Sequence, residues 1–343
     1  MTDTMSRVEC NERLNCGVIG LGWWGKVIIR TLAASQKIRV VAVTDIQPTA
    51  AEWARSQGLR FLPSFDDMLS DTAIDAVVLC TPHSLHTQQV IAAASAKKSV
   101  FCEKPLALTL ADAHRSLAAC QANGVVLGVG HELRFTPPMV TLSEWLRAGK
   151  FGTLVQTEAT FTGLVTHKDN NWRLWEKEAP GGPPMTGKGI HALDLCIGIH
   201  GAAERVHASL HASTSDVKIS DTLAVLLSFK SGANGLITAL WSSPFSNRIT
   251  VFGTEGWAEI RDKAHPERAD GWTLTTCMRD ERVATVAFDP MSPVLANLEA
   301  FADSVLRGSP YPISSSDMLA TAAALEAIGK SATDRAIVPV EPI

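Results

Sequence analysis

The chain has 343 residues, 46% hydrophobic and 19% charged, with a formal net charge of -4. That length suits two domains better than one core, and a mildly acidic balance argues against nucleic acid or an anionic membrane surface as the main partner. The seven cysteines are scattered without CxxC or zinc spacing, no stretch is long enough to cross a bilayer, and Met1–Arg13 lacks an apolar signal core, so the expected location is the cytoplasm with no membrane partner.

The first predicted strand, Leu14–Ile19, runs straight into Gly20-Leu21-Gly22-Trp23-Trp24-Gly25. A G-x-G-x-x-G run between strand and helix is a dinucleotide fingerprint. Its first glycine permits the tight turn, the second lets backbone N–H groups approach a pyrophosphate, and the third lets the helix pack close to the strand. The next apolar run, Arg39–Thr44, ends at Asp45, about twenty residues beyond the last glycine, where this fold places an acid on the ribose 2′-OH. A 2′-phosphate would meet a like charge there, so NAD(H) is expected before NADP(H), with NADP possible. Gly20 to Lys26 also fits G-x-x-x-x-G-K, but Val27 stands where a P-loop needs a hydroxyl for magnesium. Trp23 and Trp24 either cover the cofactor or pack against neighbouring loops.

Strands predicted over Asp75–Cys80, Ser99–Cys102 and Val125–Val129 alternate with helices over Ser84–Ala94 and Leu110–Ala122. Non-alternating apolar runs belong in a parallel sheet covered on both faces. A Rossmann-type doubly wound α/β domain is therefore expected over residues 1–133, with residues 1–12 as a disordered tail. From Arg134 the runs lengthen and alternate: Leu154–Phe161, Arg205–Ala212, Thr222–Phe229, Gly235–Ser242, Arg248–Phe252, Trp257–Arg261 and Val283–Phe288. These predict an α+β domain over residues 134–343 with a large, mostly antiparallel open sheet. Helices over Lys188–Ile199, Val294–Leu306 and Ser316–Ser331 are expected to cover one face of it, and the other face is the candidate for homodimer or homotetramer contacts. The active site then falls at the carboxyl ends of the parallel strands, facing the second sheet.

Thr81-Pro82-His83-Ser84-Leu85-His86, Val100-Phe101-Cys102-Glu103-Lys104-Pro105-Leu106-Ala107 and Gly189-Ile190-His191-Ala192-Leu193-Asp194 resemble, in order and spacing, the Gfo/Idh/MocA family of NAD(P)-dependent oxidoreductases. That family includes glucose–fructose oxidoreductase and the inositol, sugar and dihydrodiol dehydrogenases. The resemblance implies hydride transfer between nicotinamide and a secondary alcohol of a polyol, sugar or cyclic diol. It makes Lys104 and His191 the catalytic acid–base candidates. Independently, Lys104 follows a strand at the carboxyl edge of the parallel sheet, and Pro105 favours an extended backbone at Lys104. A lysine or an imidazole beside a nicotinamide suits proton transfer to the reacting oxygen. Glu103 beside it fixes cofactor or backbone geometry, or forms an ordinary surface pair with Lys104.

The same resemblance places Thr81 and Pro82 against the nicotinamide ribose, with His86 nearby. It brings Arg134 and His131, after the last parallel strand, to cofactor or substrate, and Trp172 and Arg173 into a loop over the active site. The cofactor set is thus Gly20, Gly22, Trp23, Trp24, Gly25, Asp45, Thr81, Pro82, His86, Glu103, Lys104 and Arg134; the substrate set is Lys104, His131, Trp172, Arg173, Lys188 and His191. Asp194 either pairs with His191 across one helical turn or packs the helix. Many family members carry an aspartate four residues before the histidine, where this chain has Gly187. The departure predicts freed volume and at most a Lys104–His191 pair. Lys188, with Arg134, Lys168 and Arg173, leaves a carboxylated substrate open. His83 with His86, and His207 with His211, lack a third metal ligand, so no metal is expected.

Absences narrow the chemistry further. The single tyrosine is Tyr311, followed by Pro312-Ile313-Ser314-Ser315, so no Tyr-x-x-x-Lys site exists, and no G-x-S-x-G elbow is present. Two rivals remain: an NAD-dependent glycosidase working by oxidation and elimination, and a non-catalytic NAD-sensing regulator, whose expected mark is loss of the lysine.

Overall fold

The computed structural model describes residues 13–164, 172–174, 178–213, 219–264 and 270–343. The tail expected over residues 1–12, Lys168 and the side chain of Arg173 lie outside the described residues.

Five short strands, β1 (Leu14–Ile19), β2 (Ile38–Thr44), β3 (Ala76–Leu79), β4 (Ser99–Cys102) and β5 (Leu127–Val129), form a parallel sheet in the order β2-β1-β3-β4-β5. Their side chains divide by alternation between two cores. Leu14, Cys16, Val18, Ala76, Val78 and Phe101 face one core, and Ile19, Val77, Leu79, Val100 and Cys102 face the other. Helices α1 (Trp23–Leu32) and α2 (Pro48–Ser56) close the first, whereas α3 (Phe65–Ser70), α4 (His86–Ser95) and α5 (Leu110–Asn123) close the second. Burial on both faces is why these strands are apolar throughout. The order reverses at β1 and β3, which opens the crevice where such sheets bind nucleotides.

After α6 (Pro137–Arg147) come β6 (Leu154–Thr162), α7 (Ile190–His200), β7 (Ala203–His211), β8 (Thr222–Phe229), β9 (Asn234–Leu240), β10 (Ser246–Gly253), β11 (Gly256–Asp262), β12 (Trp272–Met278), β13 (Ala284–Phe288), α8 (Pro293–Arg307), α9 (Ser315–Asp334) and the two-residue β14 (Val338–Pro339). The sheet of nine strands runs β13-β12-β11-β10-β6-β9-β8-β7-β14, and only β6 with β9 is parallel. Its inner face packs on α7 and α9. On its outer face a row crosses the strands through His207, Leu226, Leu236, Glu158 and Thr250, with Leu226 and Leu236 exposed.

One closing helix departs from expectation. Helix α9 covers the nine-stranded sheet, but α8 turns back to the parallel one, and its Val294, Leu298, Phe301 and Ala302 complete the core shared with α1 and α2. Phe301 meets Phe101 edge to face, with centroids 5.7 Å apart. The apolar stripe of α8 carries no mark of which sheet it will cover.

Candidate active site

The fingerprint turn has the geometry that its glycines imply. Gly20 sits at φ +92°, and a Cβ there would lie 2.6 Å from the Cys80 carbonyl oxygen. A Cβ on Gly25 would overlap the Gly20 carbonyl oxygen, while a Cβ on Gly22 would meet nothing within 4 Å. The open space lies at the N-terminus of α1, where no side chain caps the helix and backbone N–H groups are available to phosphate oxygens. Asp45, just past β2, accepts the Leu21 N–H at 2.5 Å and the Gln47 N–H at 2.7 Å. These bonds fix the carboxylate against the fingerprint turn and leave it further lone pairs for a ribose hydroxyl. Trp23 is exposed, whereas Trp24 packs on the core behind α1 with its indole N–H buried and lacking a partner among the described residues. The dinucleotide cradle is therefore present in backbone and side chains alike.

The next loop is held from beneath. His86 is fully buried, with Nδ1 2.8 Å from the Pro105 carbonyl oxygen and Nε2 3.0 Å from that of Thr81. His86 ties the Thr81 turn to the loop carrying Lys104. Thr81 Oγ1 donates to Gln89 Oε1 at 2.5 Å, and Pro82 leads into a short helical turn, His83–Leu85. The second domain clamps that turn. Glu178, fully buried, accepts the Ser84 N–H at 2.9 Å and the Ser84 hydroxyl, while its carbonyl oxygen lies 2.8 Å from His83 Nδ1. Trp172 stands edge-on to His83, with centroids 4.8 Å apart. Glu178, which the sequence reading passed over, thus ties the second domain to the His83–Leu85 turn.

Lys104 follows β4, and its peptide bond to Pro105 is cis. Its Nζ donates to the Gly187 carbonyl oxygen at 3.0 Å and that of Thr186 at 3.4 Å. Both carbonyls belong to a widened π-type turn, Met185–Gly189, that leads into α7, an irregularity often found at functional sites. The space expected at Gly187 is filled. A Cβ there would lie 2.6 Å from the Trp241 ring, and Trp241 is only 4% exposed. Lys188 turns toward the end of β6, where a Cβ on Gly163 would lie 2.8 Å from its Nζ, and burial pushes its pKa down.

His191, one turn further, presents Nδ1 3.8 Å from Glu132 Oε2. Glu103 is also buried, its carboxylate lying where a Cβ on Gly130 would be, and one of its oxygens accepts the Lys104 N–H at 3.2 Å. Burial, and then the negative charge of Glu103, push the Glu132 carboxyl up to about 8, with Lys104 opposing. The pair expected of Lys104 and His191 therefore has a carboxyl neighbour after all, contributed by the turn after β5 and not by position 187. The sequence reading passed over Glu132, although an acid among apolar residues at a strand's carboxyl end is itself a signal.

Two further side chains are engaged within the protein. Arg134 donates to both Asp194 carboxylate oxygens at 2.7 Å and to Asp317 Oδ2 at 2.7 Å. Burial works against its charge, but the two carboxylates outweigh it and raise its pKa. With its guanidinium so engaged, it braces α7 against α9. Asp194 correspondingly turns to Arg134, with His131 Nε2 3.8 Å away, and not to His191. His131 is 3% exposed and stands edge-on to His191; burial pushes its pKa down to about 4. His207 and His211 lie on the exposed side of β7. Among the described residues no cluster of His, Cys, Asp and Glu has the arrangement to hold a metal ion, and no helix is long and apolar enough to cross a membrane.

Comparison with known proteins settles the family. A model described as "Oxidoreductase family, NAD-binding Rossmann fold" matches residues 14–131, and the GFO/IDH/MocA C-terminal domain matches residues 139–259. The chain belongs to the Gfo/Idh/MocA family of oxidoreductases. Among its relatives, the uncharacterized oxidoreductase YrbE of Bacillus subtilis is 29% identical over 279 residues, 79% of this chain and 80% of that one. The mouse trans-1,2-dihydrobenzene-1,2-diol dehydrogenase is 28% identical over 238 residues, 68% of this chain and 69% of its own. The crystal structure of aldose–aldose oxidoreductase from Caulobacter crescentus complexed with glycerol superposes with a TM-score of 0.84 at 26% identity, covering 96% of this chain and all of that one. The chain is thus an NAD(P)-dependent oxidoreductase with a dinucleotide domain and the C-terminal domain of this family.

Proposed function

We propose that this oxidoreductase interconverts a secondary alcohol and a ketone on a sugar, cyclitol or cyclic diol. One observation carries the reading: Lys104, at the carboxyl edge of the parallel sheet, is held by the carbonyls of Thr186 and Gly187 one turn before His191. Relatives that act on an aldose or a dihydrodiol support the substrate class. Bound nicotinamide supplies the hydride acceptor or donor. With a nicotinamide bound to take the hydride, Lys104 and His191 would hold the substrate hydroxyl and take up its proton as the alcohol becomes a ketone. The backbone carbonyls of Thr186 and Gly187 aim the Lys104 ammonium.

The cofactor-binding part of the proposal comprises Gly20, Gly22, Gly25 and Asp45, with NAD(H) preferred, and Thr81, Pro82 and Glu103 lining the nicotinamide end. Residues 1–133 form the cofactor domain, with α8 returned to its core, and residues 134–343 form the substrate and assembly domain. The outer face of the nine-stranded sheet, with Leu226 and Leu236 exposed, is the surface for a homodimer or homotetramer. Free cysteines throughout the described residues suit the cytoplasm. A carboxylated substrate loses support because Arg134 is engaged by two aspartates.

A panel of polyols, aldoses and dihydrodiols, read by NADH and NADPH absorbance, tests the reading. Net reduced cofactor from a member of the panel, abolished in Lys104→Met, is the expected result. Glycoside cleavage without net NADH would establish the eliminating glycosidase instead, and cofactor binding without turnover on any member would establish a sensor.

A further inference from the structure

Glu132 has no role in the family motifs named above, yet it stands between Lys104 of the first domain and His191 of α7. It occupies the short turn Glu132–Phe135 immediately after β5 and is 5% exposed. Glu103 and Lys104 approach it from the loop after β4, His191 and Asp194 from α7, and His131 precedes it in its own loop. Asp194 is held by Arg134, which Asp317 of α9 also binds. The environment therefore supplies Glu132 with one lysine, a second buried carboxyl and an imidazole 3.8 Å away. An imidazole that takes a proton at one nitrogen becomes a strong donor at the other, and a carboxyl on that side whose proton affinity is raised by burial is able to receive it.

We propose that Glu132 is the proton-accepting partner of His191, a positioning residue that acts through the imidazole. The step rests on the dehydrogenase reading above. As the carbinol C–H bond breaks and its electron pair goes to the oxidised nicotinamide, the hydroxyl O–H bond breaks and its proton goes to His191 Nε2. The Nδ1 proton crosses to the Glu132 carboxylate. One ketone, one reduced nicotinamide, one protonated Glu132 and a His191 protonated at Nε2 result; when the product leaves, Nε2 releases its proton to solvent and Glu132 returns its proton to Nδ1, which restores the starting state. In the reducing direction the protonated Glu132 is the ready state.

The ionisation of Glu132 sets the direction of its pH dependence. With its carboxyl pushed up to about 8, it is a carboxylic acid at neutral pH and a carboxylate above. Oxidation, which needs the carboxylate, rises through about pH 8; reduction, which needs the acid, falls there.

The test has two arms that fail separately. In the first, histidine-labelled protein saturated with NADH is titrated by NMR from pH 6 to 10, and the His191 ring signals are followed in the unmutated protein, Glu132→Gln and Glu132→Asp. A step near pH 8 in the His191 signals, absent in Glu132→Gln and restored in part by Glu132→Asp, is the expected result; identical titrations in all three overturn the proposal. This arm needs no substrate, so it stands even if the polyol and sugar panel gives no turnover. In the second arm, kcat and KM are measured over the same range with the most active panel member. Glu132→Gln is expected to lower kcat about ten- to a hundredfold with little change in KM, and to lose the rise through pH 8. A normal kcat with the rise retained also overturns it. Retained NADH affinity and an unchanged melting temperature at pH 7 confirm that the variant is folded, since glutamine is a neutral isostere of the protonated acid.

Discussion

The two sheets meet water differently. The five-stranded sheet is covered on both faces and the nine-stranded sheet on one. In the first, the strands are short and mainly apolar, and the groups placed to do chemistry are confined to the loops at the carboxyl ends: the Gly20 to Gly25 backbone and Thr81, Glu103, Lys104 and Glu132. In the second, inward Leu223, Val225 and Leu227 alternate with outward Ala224 and Leu226, and the sheet serves as a wall whose helix α7 and neighbouring Trp241 face the first domain. Chemistry concentrates where a strand must stop, because only there does the backbone leave a fully buried layer with a polar side chain still in reach of a ligand.

The sharpest way to break this contrast is to open each sheet by one side chain. Phe301 is fully buried between Phe101 and Gly128. Phe301→Ala is expected to cost about 3–5 kcal/mol in chemical denaturation. Leu236→Ala on the outer face of the large sheet is expected to change stability by less than about 0.5 kcal/mol, while weakening assembly where a second copy covers that face. Equal losses from the two would mean that the outer face is as buried as the core in the working protein.

A change in the loops, by contrast, should spare the fold and remove the chemistry. Lys104→Met is expected to leave NADH affinity, read by fluorescence, within about twofold and to cut turnover by about a hundredfold or more. Turnover near the normal level would move the acid–base role elsewhere.

Much of the architecture and part of the site are written locally. β1 to β5 stand out as apolar runs, the fingerprint and Asp45 declare a dinucleotide, and Lys104 and His191 sit inside short recognisable segments. What escapes is what depends on distant partners. Arg134 looks available for a ligand until its partner Asp194, 60 residues on, is folded against it. Glu178 acquires meaning only through Ser84, 94 residues earlier. Helix α8 has the stripe of any amphipathic helix, and the stripe does not say which sheet it serves. Strand β12 was not anticipated because Thr273, Thr275 and Thr276 dilute its apolar alternation.

Gly187 shows the same lesson in the site. With its Cβ position 2.6 Å from the Trp241 ring, Gly187→Asp must displace a buried indole, at a cost of about 1–3 kcal/mol. The expected outcome is a lower melting temperature and reduced kcat/KM for every panel member, since the Gly187 carbonyl that aims Lys104 moves with the turn. Gly187→Asp combined with Trp241→Ala should recover part of the kcat/KM loss, while the lost indole lowers the melting temperature further. A neutral-polyol gain in Gly187→Asp alone would show that Trp241 yields easily and that the position is open to a side chain.

The smallest expected effect tests the part of the first domain that sequence declared most openly. Asp45 already accepts two backbone N–H groups, from Leu21 and Gln47, so it is a carboxylate fixed in place and not a mobile surface acid. A fixed negative charge beside the ribose favours a 2′-OH, which donates to it, over a 2′-phosphate, which repels it. Asp45→Ser keeps a hydroxyl to bond the ribose but removes the charge. The ratio of NAD to NADP affinity is expected to fall by about tenfold, or about 1.4 kcal/mol, and the change should shrink at high salt as screening weakens the repulsion. Because serine also loses one of the carboxylate's two anchoring oxygens, NAD affinity itself should fall slightly through the loosened Leu21 turn. If the ratio is unchanged while NAD affinity drops, Asp45 is a brace for the fingerprint and not the group that chooses between the cofactors.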